Sequence, residues 1–447
     1  MYTRCLAIAF LLVGCGSNAD SLPNDGGTDA PPSCLLASAP SEITLAFGER
    51  TEWLRSMITA DTTATISAEG PIRVFDAYDD PSRLIVRATY EEGSATVRVT
   101  CADSTSGSIA VSVVPITFRN VATWTDANGP IGREYFSWWQ DESDPETLWL
   151  FGGFVYQPTQ FTPNSELWSF NVTSAAWTAH GILAGAPITP GGRVARGPAP
   201  NTMFYLGGFA DGEETPPVLA QLDLTASPPT WSTAPHAAQS PGSYTGALIH
   251  DARRDRWLSV CGASATFGLN CSVNAYTPEG GWSAVSIAGG PRAPGRMGFP
   301  YAYDEPNDRV IIFAGQQGPG NLDLGGDTWA LELSETPARW TQLFESDPVA
   351  TARRNAGFAY DSDDERLFVW GGTPDGGHSV TGMQVLHLDR DHEEWFSFAT
   401  PTEMVSRTSG GGVYDPTARS IYWGFGNDDA VYRDVWQMSL SASTSAN

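Results

Sequence analysis

AYDSDDERLFVWGG, residues 359–372, reads as an apolar strand, a tight acidic turn and a second apolar strand that stops on two glycines. The design recurs as AYDEPNDRVIIFAG at 302–315, IHDARRDRWLSVCG at 249–262 and VYDPTARSIYWG at 413–424. Apolar strands on either side of an Asp- and Asn-rich turn mark a β-hairpin, because these residues adopt the backbone angles the turn requires. The acidic turns, Asp251–Asp255, Asp304–Asp308 and Asp361–Glu365, are read as solvated tips and not as sites.

Around the hairpin the order stays constant. A Gly- or Ser-led strand comes first, then the turn, then an apolar strand ending in glycine, a variable loop, a third strand and a closing tryptophan. Trp124, Trp177, Trp231, Trp282 and Trp340 are each followed by Ser or Thr, and Trp395 by Phe396, at spacings of 53, 54, 51, 58 and 55 residues. A period near 50 built of short strands signals a propeller blade. A four-stranded blade buries its faces only against its neighbours, so such blades must form a ring.

At this point the chain resembles the kelch family over about residues 116–442. The family's diglycine stands as Gly152-Gly153, Gly207-Gly208 and Gly371-Gly372, and in degenerate form as Cys261-Gly262, Ala314-Gly315 and Gly424-Phe425. The aromatic residue of the third strand appears as Trp168, Trp329 and Trp436. The last copy stops before any closing Trp strand, and TFRNVATWT (117–125) stands ahead of the first. These two segments are expected to share one sheet and close a six-bladed ring, removing the exposed edges that invite aggregation.

The rest of the chain divides plainly. Residues 1–14 read as a lipoprotein signal: Arg4 supplies the positive end, and Leu6–Gly14 is too short to span a bilayer, which takes about 20 apolar residues. LVGC (12–15) resembles the bacterial lipobox, which implies lipidation of Cys15; an ordinary signal peptide with a chance cysteine is the alternative. Gly16 favours outer-membrane sorting, facing the periplasm or the cell surface. Residues 15–33, small and polar, form a tether. Residues 34–115 alternate apolar and polar residues between turns and are expected to be an all-β stalk that loosely resembles Ig-like spacer modules. Residues 116–443 hold the propeller.

Charge and cysteines narrow the partners. The net charge is −26 and every one of the 25 cations is arginine, so a polyanion such as nucleic acid is repelled overall. The membrane is reached through a lipid anchor only, and a monomer is expected. Cys34, Cys101, Cys261 and Cys271 form an even set suited to two disulfides in an oxidising space, Cys34 to Cys101 and Cys261 to Cys271. No Cys-x-x-Cys pair, Gly-x-Ser-x-Gly elbow, His-Glu-x-x-His or phosphate loop occurs, so neither metal nor cofactor is expected. The resemblance also admits enzymes, since copper radical oxidases and the N-acetylneuraminate epimerase use kelch-like rings. The scattered histidines do not suit copper, while carboxylate and arginine chemistry stays open as an alternative, with a purely structural envelope role as a third.

Binding of a protein or glycan through one face is the leading expectation. The loops leading into the first strands carry Arg133, Arg193, Arg296, Arg354 and Arg407, and the remaining one has Ser243 and Tyr244. These would ring one mouth of the channel, beneath loops that hold Phe154, Tyr156, Phe161, Asp211, Glu213, Glu214, Phe267, Gln316, Gln317, Asp375, His378, Asn427 and Asp428. Two readings follow. Either the arginines are struts satisfied within the blades, or they focus a carboxylate-bearing sugar or acidic peptide on the pore.

Overall fold

The computed structural model describes residues 34–442 except 142, 158–159, 209–217, 238–240, 242–243, 265–267, 319–322 and 375–376, and leaves aside the side chains of 156, 157, 160 and 161. The signal, Cys15 and the tether therefore lie outside the described residues. Among the described residues the fold is almost entirely β, with a single short helix at Arg55–Ile58.

Residues 34–115 make a four-stranded and a three-stranded sheet. Strand Glu42–Ala46 runs parallel to Ser106–Val114, and every other pairing here is antiparallel. Alternation in SGSIAVSVV puts Ile109, Val111 and Val113 inside, against Val97, Val99, Leu84 and Val86 from the neighbouring strands. Cys34 and Cys101 are bonded across a separation of 67 residues.

Six four-stranded antiparallel sheets follow, giving a propeller-like body. We number them by their innermost strands: Ser137–Gln140 (sheet 1), Gly192–Arg196 (2), Ala247–Asp251 (3), Tyr301–Asp304 (4), Gly357–Asp361 (5) and Gly411–Asp415 (6). Each innermost strand neighbours the next, and that of sheet 6 neighbours that of sheet 1. The outer strand of sheet 6 is Thr117–Thr123, paired antiparallel with Asp434–Ser439, so the two ends of this region share one sheet. Between sheets the packing is apolar and aromatic. Phe313 of sheet 4, for instance, lies 4.5 Å from the Trp395 ring of sheet 5.

The diglycine has a mechanical reason. Both of its residues take positive φ in all six sheets, and the sixth pair is Phe425-Gly426, one residue beyond the expected Gly424-Phe425. In four sheets the N–H of the second residue donates to the next sheet's incoming segment, as Gly372 does to the Arg407 carbonyl at 3.0 Å. A Cβ on Gly371 would sit 1.9 Å from that same oxygen, so backbone approach demands glycine there.

The acidic turns correct an expectation. Asp251, Asp304 and Asp361 are fully buried, and Asp415 is 2% exposed; they are not solvated tips. Each of the first three ends an innermost strand opposite an arginine, Arg256, Arg309 or Arg366, and bonds to it. Further ions bridge sheet to sheet: Arg254 reaches Asp308, Arg309 reaches Glu393, and Arg419 reaches Asp364. An aspartate chosen for its turn propensity is thus also the acid of a belt on this face.

The 34–115 unit packs on that belt. Arg50 bonds Glu365 and Asp389, and Arg87 bonds Asp389 and Glu394. The Tyr90 ring stacks on Phe398 at 5.1 Å, and its hydroxyl lies 3.0 Å from His387 Nε2. The expected stalk is docked on sheet 5, on the turn side of the ring.

Candidate functional site

The opposite face is built by the segments that lead into the innermost strands. In each, one residue takes the left-handed conformation: Tyr135, Gly191, Thr245, Gly298, Asn355 and Ser409, with φ between 46° and 80°. The N–H of each of the last five donates to the carbonyl of the one before it, at 2.7–3.0 Å. A belt of backbone hydrogen bonds therefore runs from sheet 1 to sheet 6 around the mouth. Four of its six members are not glycine, a costly choice of about 1–3 kcal/mol each that concentrates at functional positions.

Two residues before that position stands arginine in four sheets: Arg133, Arg296, Arg353 and Arg407, all buried. Their bonds repeat. Nε donates to a carbonyl two residues back, Nη1 to the carbonyl of the first diglycine-type residue, and the guanidinium meets Glu166, Asp327, Gln384 or Asp434. Where the partner is an acid, the tryptophan two residues on (Trp168, Trp329 or Trp436) donates its indole N–H to the same carboxylate. In sheet 2 the hydroxyl of Thr189 takes the Gly207 carbonyl in place of an arginine. Arg133, Arg296 and Arg407 are therefore struts, and the expected ring of five mouth arginines does not form. In ARRNAGF the repeated position is Arg353, and Arg354 is one residue out of register.

That offset leaves Arg354 and Arg193 for the mouth. Arg193 lies on the innermost strand of sheet 2 and lines a cavity of about 150 Å³ with Tyr135, Phe136, Trp138, Tyr301 and Asn355. No carboxylate pairs with either arginine among the described residues, and the Nε atoms of both are buried without a partner. Among the described residues the Arg354 guanidinium bonds the Gln316 side chain, Nη1 to Oε1 at 3.1 Å. Tyr135 and Tyr244 stack beside them, with ring centroids 6.3 Å apart, and the Asn355 amide donates to the Tyr135 hydroxyl at 2.6 Å.

Electrostatics tie the group together. Burial first, then the Glu134 charge, pushes the Tyr135 phenol up to about 12, against the pull of Arg354 and Arg193. Burial also raises Tyr244, which feels Tyr135, Glu134, Arg193 and Arg354 together. Glu134 itself is pushed up to about 7 by burial, partly offset by the Asn427 amide that donates to its Oε2 at 2.6 Å. A carboxyl that titrates near neutrality can gain or lose a proton as its surroundings change. Arg193 and Tyr135 line the cavity, and Arg354, Tyr244 and Glu134 lie close enough for their charges to act on the two tyrosines. Among the described residues neither arginine has a carboxylate partner. The arrangement can hold an anion by charge-assisted bonds and stack a ring.

The remaining expected residues separate. His378 is exposed and lies 3.7 Å from Asp428 and 4.0 Å from Asp429, on loops away from the stacked tyrosines' own segments. Asp428 is turned to Ser379. Gln317 supports Asp327 and the strut. Phe154 packs edge-on to Tyr135. Asp211, Glu213, Glu214, Ser243, Phe267 and Asp375 lie outside the described residues, as do the side chains of Tyr156 and Phe161. Cys261 and Cys271 are bonded within sheet 3, as expected. The sequence reading missed Glu134, Tyr135 and Asn355. Their signal was the place of each after the repeated arginine, readable once Arg353 is set in register with Arg133.

No family model matches the chain, and no curated protein matches it. Solved structures do. One titled "Structure of YjhT" superposes with a TM-score of 0.51 at 12% identity, covering 70% of this chain and 94% of that one. The likeness bears on the fold alone.

Proposed function

We propose that the chain is a six-bladed propeller of the kelch type on a small Ig-like β-unit, and that it binds a small carboxylate-bearing ligand at one mouth of its channel. The six sheets, the shared closing sheet and the repeated diglycine-type pair support the first part. One observation carries the second: among the described residues, Arg193 and Arg354 stand beside Tyr135 and Tyr244 with no acid of their own. A buried guanidinium nitrogen without a partner is costly, and a ligand carboxylate supplies the missing acceptor. The cavity holds about one ring, which favours a monomeric sugar acid or the acidic tip of a glycan over an extended peptide. Lipid anchoring through Cys15 and an outer-membrane address belong to the same proposal. They make the protein a displayed binding module with no chemistry of its own.

The test is thermal melting of the soluble domain with D-glucuronate, D-glucose and acetate, followed by calorimetry. Stabilisation by the uronate alone, lost in Arg193→Ala and Arg354→Ala, supports the reading. Equal response to glucose and glucuronate refutes it. A second reading, a sugar-modifying enzyme, is favoured by the near-neutral Glu134; conversion of the bound sugar acid, followed by NMR, would establish it.

A further inference from the structure

We propose that the mouth takes up its carboxylate ligand together with one proton, and that Glu134 carries that proton. The proposal rests on the reading of the mouth just given and deepens it. Glu134 stands one residue before the left-handed position of sheet 1, where sheet 3 has Tyr244 and sheet 5 has Arg354. Pro190, Met297 and Thr408 fill the places between, so the three groups that can carry charge alternate around the belt.

The surroundings of Glu134 explain why a proton would follow the ligand. On its own segment, Arg133 is turned away to Glu166, and Tyr135 is a phenol. The paired strand places Phe154 and Val155 opposite Glu134 and Arg133, and neither brings a charge. The sheet 6 loop contributes Asn427, while its Asp428 faces Ser379 and His378 and Arg433 pairs with Asp126. Tyr244 is near enough to feel the charges of Glu134, Arg193 and Arg354 together. The carboxylate thus has one amide donor and no cation within ion-pair distance among the described residues. A second carboxylate seated on Arg193 and Arg354 adds its own repulsion to a carboxylate that burial already disfavours and that only the Asn427 amide supports among the described residues. Like-charged carboxyls in one site share a proton rather than both ionise. The burial that already raises Glu134 puts the step within reach near neutral pH.

The sign follows from linkage. A group that binds protons more tightly in the complex makes affinity fall as pH rises through its free value, by at most about tenfold per pH unit for one proton. Calorimetry with D-glucuronate at pH 7.5, in buffers of different ionisation enthalpy, counts the protons directly on the unaltered protein. A net uptake above about 0.3 proton per ligand, with weaker binding from pH 7 to pH 9, is expected. Glu134→Gln keeps an acceptor for Asn427 and should bind with no uptake and a flat profile. Binding with no proton uptake and no pH dependence overturns this proposal alone, as does uptake that survives in Glu134→Gln. Absence of binding at every pH overturns the reading of the mouth, and this proposal with it.

Discussion

Asp327→Ala should unfold the protein far more readily than its size as a change suggests. Asp327 accepts from Arg296 at 3.0 and 2.8 Å, from the Trp329 indole at 2.6 Å and from the Gln317 amide at 2.7 Å. Arg296 is wholly buried, so truncating its partner strands a cation away from water. Breaking a buried ion pair in this way costs about 3–5 kcal/mol. At about 2 °C per kcal/mol, the low end for larger domains, the melting midpoint should drop by about 6–10 °C. The pH dependence is a second readout. Burial pushes the Asp327 carboxyl up, but the Arg296 guanidinium and the Trp329 indole hold it below the usual carboxylate range. Its stabilising contribution is therefore present above about pH 4, the unfolded value, and is lost as pH falls through the lower folded one. Differential scanning calorimetry at pH 7 and at pH 3 should find the gap between parent and variant smaller in acid. Arg354→Ala is the control and should cost less than about 1 kcal/mol. A loss below about 1 kcal/mol for Asp327→Ala, or an equal loss for Arg354→Ala, would refute the division of the arginines into struts and site.

Other outcomes follow from the same geometry. Arg193→Ala should weaken D-glucuronate binding about 10–100-fold in calorimetry, the worth of one or two charge-assisted bonds of about 1.5–3 kcal/mol, while leaving the melting midpoint nearly in place. Arg87→Ala removes a buried cation held by Asp389 and Glu394; the 34–115 unit should then loosen from sheet 5 and become sensitive to limited proteolysis near residue 115. Replacing Cys34 and Cys101 by serine opens a closed loop of 67 residues and should lower the stability of that unit by about 4 kcal/mol in urea unfolding.

How much of this was legible follows from where each signal resides. The period was open to reading because tryptophan and glycine occupy positions with one acceptable answer: an indole closing each sheet, and a backbone that must approach its neighbour at Gly371. The shared closing sheet was legible too, since a strand missing at one end stands at the other. The arginines were half legible. Their type announced a role, but Arg353 and Arg354 differ only in register, and one residue separates a buried strut from a group at the mouth. Glu134 and Asn355 carried no mark of their own. The acidic turns were misjudged for the converse reason: Asp361 has the look of any turn aspartate, and its burial comes from Arg366 and from the sheets and β-unit packed around it.

The local pattern by itself determined the strands, the turns and the spacing of the repeats, because alternation, turn chemistry and backbone approach act over a few neighbouring residues. Tertiary structure alone decided which charges meet. Arg193, Tyr244, Arg354 and Glu134 come from four different sheets, and Arg87 finds Asp389 only when two parts of the chain dock. Burial and charge pairing depend on distance in space, and separation along the chain does not record that distance.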